Sequence, residues 1–326
     1  MDIKKPFLTC LSLIGSLWLH AQQEPLYSMY SMNGFLFNPS IAGGDGYTTV
    51  GISARDYMLG FPNSPKTTVL SVHGRLLRSQ VKVTGGAGSK KSVSKRSGRV
   101  GLGAYIFDDR NGAVERTGGS FTYAYHIFLQ NTQLSFGLAA STFQFKFDQS
   151  KFIYGTNQGP EPLQNKNISD QLLVPDISFG SYLSSADAFL GFSVTNVFQT
   201  HISLSEASYD FRMLRHYFLM GGKRFNSDDK ISYEPSFLIK ATEKMVFQAD
   251  IQMRFYYNQD YYMGLCYRTG SAVGVLMGIK FNRFCIGYAF DYGLNSMQKY
   301  TYGSHEINIA IKFGDNARRY PWLIRY

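Results

Sequence analysis

Long apolar runs are scarce in this chain of 326 residues. Beyond residue 21 no stretch approaches the roughly 18 unbroken apolar residues that a membrane helix needs, which excludes a helical membrane protein. Cysteine is nearly absent. Of three, Cys10 lies in the N-terminal apolar stretch, while Cys266 and Cys285 sit inside strand-like runs. There an unpaired Cys behaves as a small apolar residue, and a disulfide between the two is the alternative in an oxidising compartment. Histidine is dispersed as well. After residue 21 it occurs at His73, His126, His201, His216 and His305, no two at metal-ligand spacing, so each reads as a strand or loop residue.

Catalytic patterns are missing too. Ser304 and His305 are adjacent, which in a strand puts their side chains on opposite faces and makes a poor nucleophile pair. The run "TGGAGSKKS" has the glycines and lysines of a phosphate loop without the required order or a following helix. The expectation is a protein that is not an enzyme, with no cofactor, no metal and no nucleic-acid partner.

The chain does begin with an export signal. Lys4 and Lys5 precede the apolar run Phe7 to Leu19, and Leu19-His20-Ala21 stands before Gln22, so residues 1–21 read as a signal peptide cleaved after Ala21. Acylation at Cys10 is the rival reading, but only a few apolar residues precede it. The cut would remove Lys4, Lys5 and Asp2, taking the net charge from 33 − 23 = +10 to 31 − 22 = +9. That balance suits attraction to anionic lipid or acidic partners, and also suits simple solubility.

Aromatics are abundant at 16%, with 23 Tyr, 26 Phe and 32 Gly. In an exported chain without long helices, this composition fits an outer-membrane barrel with Phe and Tyr on its lipid face and interfacial girdles. Period supports it. Val273, Val275, Met277, Ile279 and Phe281 are all apolar, opposite Gly274, Gly278 and Lys280. Phe284, Ile286, Tyr288 and Phe290 repeat the pattern, as do Ile307, Ile309, Ile311 and Phe313. Between Met245 and Phe255 the opposite face is Gln248, Asp250, Gln252 and Arg254, a set that suits a polar barrel interior and marks these four as lumen-facing candidates.

Read this way, the fold is all-β, a transmembrane antiparallel barrel of about 14 strands spanning residues 47–313. The expected strands lie near 47–55, 66–76, 99–107, 117–129, 133–147, 175–184, 188–197, 213–225, 230–240, 245–256, 260–268, 272–282, 283–292 and 303–313. Alternate links are tight and polar ("QNT", "SSAD", "NSDD", "NQD", "NR"). The other links include the longer Asp148 to Val174, Phe198 to Arg212 and Gly293 to Tyr302. Short periplasmic turns and long outer loops would then put the N-terminus on the periplasmic side. One link breaks the pattern: residues 78–99 hold seven basic residues and no acid, as a solvated insertion or a contact to anionic lipid or a periplasmic partner. Residues 314–326 form a C-terminal tail in which Trp322, Ile324 and Tyr326 alternate, either a further pairing segment or an interfacial anchor.

Residues 22–46 precede the first strand and contain "NGFLFNPSIAG". Pro39 removes a ladder donor and holds Asn38 extended or in a turn, and Gly43 and Gly44 let the chain turn into the strand. Phe35, Leu36, Phe37 and Ile41 need burial. The segment is expected at or in the periplasmic mouth, as a partial plug, a docking patch or a local cap, with Phe35, Phe37, Asn38, Pro39 and Gly43 as the plug or partner candidates.

Three stretches carry a resemblance: "YSMYSMNGFLFNPSIAGG", "GLCYRTGSAVGVLMGIKFNRFCIGYAFDYGLNSM" and "GSHEINIAIKF". Together they resemble the PorP/SprF family of Bacteroidota, whose mature chains open on a similar F-N-P-A-x-A-G run and end on an R-T-G, G-Y-x-Y-D, G-S-H-E series. Ser40 departs from the family's usual Ala, and the basic insertion at 78–99 is not a recognised family feature. The resemblance implies an outer-membrane barrel of the type IX secretion system, tied to protein export and gliding motility. Its implied partners are a periplasmic peptidoglycan-binding lipoprotein and the secretion motor, or a surface adhesin, besides outer-membrane lipid. The rival function is a diffusion channel or hydrophobic-ligand transporter, and a membrane-embedded hydrolase lacks any catalytic constellation.

Overall fold

The computed structural model describes residues 27–77, 97–147, 172–203, 210–227 and 230–314. The expected signal peptide at 1–21, most of the basic stretch 78–99, most of the 148–174 link and the tail beyond Gly314 lie outside these residues.

Fourteen long strands form one antiparallel sheet. They are β1 (Thr48–Asp56), β2 (Lys66–Leu77), β3 (Ser97–Asn111), β4 (Val114–Leu129), β5 (Thr132–Phe147), β6 (Leu172–Ser185) and β7 (Ala188–Thr195). They continue with β8 (His216–Lys223), β9 (Ile231–Thr242), β10 (Phe247–Tyr257), β11 (Tyr261–Arg268), β12 (Ala272–Phe281), β13 (Phe284–Gly293) and β14 (Ser304–Phe313). Each pairs with its neighbours in sequence, β8 with β9 included (Leu219 opposite Ile239), and one further ladder closes the ring, β1 with β14, Ile52 opposite Ile309. The sheet is therefore a closed barrel with no free edge. The two-residue strand Phe225–Asn226 extends the β9 edge, and His201–Ser203 pairs with Asp210–Arg212 as a separate ribbon.

The alternation inverts that of a water-soluble protein. Along β10, Phe247, Ile251, Met253, Phe255 and Tyr257 are exposed while Gln248, Asp250, Gln252 and Arg254 are buried. Along β4, Phe121, Tyr123 and Tyr125 are exposed while Ser120, Thr122 and His126 are buried. A period of two sends successive side chains to opposite faces. Apolar-out and polar-in is what a barrel wall facing lipid requires.

The strands match the sequence reading with three local differences. β3 and β4 extend to a tight hairpin at Asn111–Val114, where Gly112 adopts φ +61°. The polar run Asp108 to Arg110 hid this extension, yet Thr67 donates to Asp109 at 2.7 Å and Arg116 pairs with it at 2.6 Å. β8 begins at His216 rather than 213, because Asn196 Nδ2 donates to the Leu214 carbonyl and draws residues 213–215 into the loop. Link length is less polarised than expected: 112–113, 243–246 and 269–271 are short turns at the same end as the long links. Cys266 and Cys285 are both free thiols, since β12 lies between them and places Gly274 opposite Cys266 but Lys280 opposite Cys285.

Candidate functional site

The segment ahead of β1 has no ladder to join, so its backbone polar groups must be satisfied another way. Gly34–Phe37 forms one helical turn and Pro39–Ile41 a single 3-10 turn. Pro39 at the first position of the second turn needs no donor there, and Asn38 is held extended at φ −136°.

Asn38 is fully buried and uses its whole hydrogen-bonding capacity. Its Oδ1 accepts from the Ser40 N–H at 3.0 Å and the Ser40 hydroxyl at 2.6 Å. Its Nδ2 donates to the carbonyls of Ser181 at 3.0 Å and Phe192 at 3.3 Å, and the Ser193 hydroxyl donates to the Phe37 carbonyl at 2.7 Å. One asparagine thus ties the segment's turn to β6 and β7.

The aromatic candidates diverge. Phe35 packs against His73 at 4.8 Å between ring centroids and edge-on to Tyr105 at 5.9 Å. Phe37 points toward β8, against Phe218 at 5.4 Å, with Tyr27 at 5.8 Å. The facing wall is thinned by glycine. An added β-carbon at Gly101 would stand 2.0 Å from the Ala42 carbonyl oxygen, and one at Gly137 would stand 2.2 Å from the Ser40 nitrogen. No side chain fits at either position.

At the end where β1 begins, called here the near end, Gly43 turns at φ +68°. Arg75 donates to the carbonyls of Gly43 at 2.9 Å and Gly44 at 2.8 Å, and to Gln133 at 2.8 Å. His126 bridges the Ala42 carbonyl at 3.0 Å and the Ser135 hydroxyl at 2.8 Å. This histidine beside a serine is sealed from solvent and serves as a clamp. Asp45 pairs with Lys312 at 3.0 Å. Burial alone would raise the Asp45 carboxyl, but the Lys312 ammonium and His73 outweigh that and hold it below the ordinary carboxylate range.

The first described residues meet the opposite, far end of the strands. Ser28 sits among Arg55, Arg268, Asp250, Asp291 and Glu306, all within a few residues of the far ends of β1, β11, β10, β13 and β14. Arg55 pairs with Asp291 at 2.6 Å and Glu306 at 2.7 Å, and Arg268 pairs with Asp250 at 2.9 Å. Ser28 accepts from Arg55 at 2.9 Å and Arg268 at 3.1 Å, donates its hydroxyl to Asp291, and its N–H reaches Glu306 at 2.6 Å. Residues 28–44 therefore touch strands on all sides and at both ends.

All four lumen-facing candidates are buried. Asp250 belongs to the Arg268 pair, and Gln252 donates to the Ser28 carbonyl. Arg254 pairs with Glu234 at 2.5 Å, Glu234 also meets Arg224 at 2.9 Å, and Gln248 lies 3.5 Å from Asp250. Opposite charges this deeply buried require such mutual pairing. Arg55 and Glu234 were missed in the sequence, but a signal for the others was present. Arg268, Asp291 and Glu306 stand in the "YRTG", "GYAFDYG" and "GSHE" runs, and all three converge on Ser28.

Between the segment and the wall of β6 to β14, a vestibule of about 400 Å³ opens at the near end. Among the described residues there is no cluster fit to hold a metal ion and no helix long and apolar enough to cross a membrane.

A closed barrel with an apolar outer face and a charged, filled interior defines a membrane β-barrel of the outer-membrane type. The family model for the type IX secretion system membrane protein PorP/SprF matches residues 19–311, and the chain belongs to that family. It is a secretion-system membrane protein family rather than an enzyme family, and membership fits the outer membrane. No curated protein matches the chain.

Several solved barrels are similar at low identity. The TodX deltaS2S3 mutant monoaromatic hydrocarbon channel is 11% identical with a TM-score of 0.45, covering 87% of this chain and 94% of that one. CdiB from Acinetobacter baumannii is 9% identical with a TM-score of 0.40, covering 82% of this chain, which spans only 60% of CdiB. The KdgM porin is 8% identical with a TM-score of 0.34, covering 82% of this chain and 99% of that one. The strand pairing, not these likenesses, defines the fold.

Proposed function

We propose that the protein is a non-enzymatic outer-membrane scaffold of type IX secretion, which docks the secretion machinery or anchors a surface adhesin. Membership of the type IX family across residues 19–311 is the observation that carries this reading. The interior contacts of residues 28–44 support a static part over an open conduit, because their hydrogen bonds would be lost if the segment left. In this reading residues 1–21 are removed during export, and Phe35, Phe37, Asn38, Pro39 and Gly43 form a plug. The near end faces the periplasm, where the partner is the peptidoglycan-binding lipoprotein, or the far end presents an adhesin outside.

The test is a cross-linking pull-down from intact membranes, read by mass spectrometry. A secretion component or an adhesin is the expected capture, and a barrel recovered with neither would overturn the proposal. Replacing Phe35 and Phe37 by Ser is expected to impair barrel assembly or partner capture. Normal barrel levels together with normal secretion would remove the plug from the reading.

A further inference from the structure

The vestibule at the near end has two unlike sides. Tyr182, Phe189 and Met220 line it from β6, β7 and β8, and the leading segment adds Tyr30, Met32 and Phe35, so this side is apolar and aromatic. The side from β12 round to β1 is polar, with Lys280, Lys312 and Thr49 in the lining. Register sets Cys285 opposite Lys280 and Ala310 opposite Cys285, and these small side chains leave the space beside Lys280 open. A cavity of about 400 Å³ that joins an apolar wall to a few polar groups is the usual form of a small-molecule site.

Most of its charges are already engaged. Lys312 pairs with Asp45 at 3.0 Å, Arg224 pairs with Glu234 at 2.9 Å, and Asp187 is held within the protein too. Lys280 differs. It is half-buried in the wall, and among the described residues no hydrogen bond or ion pair engages its ammonium. Of the charges around it, Lys312 and Arg224 repel and Asp260 attracts. Asp260 stands exposed to water in the β10–β11 turn, tied to Lys280 only by its backbone carbonyl, which accepts the Lys280 N–H at 2.7 Å. Thr49 is an independent sign of a ligand. Its side chain is 8% exposed and its hydroxyl has no hydrogen-bond partner in the protein, whereas a buried hydroxyl ordinarily has one.

We propose that the vestibule binds a single-tailed amphiphile with an anionic head, of the long-chain carboxylate class. The head lies against the wall from β12 to β1, where Lys280 supplies a charge-assisted hydrogen bond and Thr49 a hydroxyl. The tail lies among Phe35, Tyr182 and Phe189, which removes its surface from water. An acidic head fits better than a basic one, because the unengaged cation is held in the wall while Asp260 is already solvated. This inference stands apart from any secretion partner and holds whichever side of the membrane the near end faces.

Cys285 provides the reporter, because it lines the vestibule opposite Lys280 and is partly exposed whereas Cys266 is buried. In the full-length protein in phosphatidylcholine nanodiscs, labelling of Cys285 by a small maleimide would be followed at about pH 7.5 with increasing dodecanoate, and with dodecanol and dodecyltrimethylammonium as matched probes. Cys285→Ser serves as the blank, and a heat-modifiable gel shift verifies that each barrel is folded. Dodecanoate should protect at lower concentration than either matched probe. Lys280→Gln should raise its half-protective concentration about tenfold, the loss of one charge-assisted hydrogen bond, and that concentration does not depend on the thiol's own rate. Thr49→Val should raise it severalfold without lowering the unfolding midpoint, since the hydroxyl has no protein partner to lose. No protection by dodecanoate, equal protection by all three probes, or protection unchanged by Lys280→Gln would overturn the proposal. Stronger protection by dodecyltrimethylammonium, lost in Asp260→Asn, would assign the vestibule to a cationic amphiphile and also defeat it.

Discussion

Gly180 makes room for Asn38: a β-carbon added at Gly180 would stand 2.0 Å from the Asn38 side-chain oxygen. The two residues lie 142 positions apart, and the fit between them is what lets Asn38 reach the backbones of β6 and β7.

Gly180→Ala should therefore act on the segment as well as on the strand. Forcing a methyl into this contact breaks some of the Asn38 hydrogen bonds, at a cost of roughly 1–3 kcal/mol. Urea unfolding in detergent would show a lower midpoint, and limited proteolysis would cut more readily within residues 27–46. Gly112→Ala is the control, because a β-carbon there meets nothing within 4 Å, although its positive φ adds a small strain.

Arg55 neutralises two carboxylates at once. Arg55→Met leaves Glu306 without its cation and Asp291 with only the longer Arg268 contact at 3.4 Å, and removing one partner of a buried pair costs about 3–5 kcal/mol. Adding Glu306→Leu should restore part of that loss. Unfolding midpoints of the two single variants and the double variant measure the coupling, and simple additivity would contradict the pairing.

Asp45 sets a pH dependence at the near end. Its folded carboxyl lies below the ordinary range, so its contribution is complete above about pH 4 and fades as pH falls through the folded value. The pair with Lys312 is partly exposed, so the effect is about 1 kcal/mol or less. Wild type and Asp45→Asn should differ in unfolding midpoint at pH 7 and converge toward pH 3.

Occupancy of the interior is an electrical property too. In planar bilayers the wild-type protein should be silent or nearly so. Combining Asn38→Ala with Phe37→Ala should produce intermittent conductance, as the segment loses both its anchor to β6 and β7 and its contact with Phe218. A steady open pore in the wild type would favour a channel.

Most of the wall was legible because each strand repeats one local rule. Val273 to Phe281 and Phe284 to Phe290 show it plainly, and Asp250 and Arg254 on the hidden face identify the solvent on each side. Legibility failed where strands run past the apolar band, as at Asp108 to Arg110, since polar ends there carry no alternation. It failed more completely inside. Nothing local to "FNPSIA" announces Gly101, Gly137 or Gly180, because those contacts involve backbone atoms and missing side chains on distant strands. Arg268, Asp291 and Glu306 were visible as motif residues, but only the closed ring brings them to one serine.

The bond from the Ser28 N–H to Glu306 spans 278 positions of the chain. Contacts so remote in sequence carry the largest loop-closure cost and form late. Ser28 is thus among the last residues to find its partners, because Glu306 reaches it only when β14 returns to β1. Ring closure and capture of Ser28 become one event, so a barrel that sealed without it would leave Arg55, Arg268, Asp291 and Glu306 without the serine that joins them.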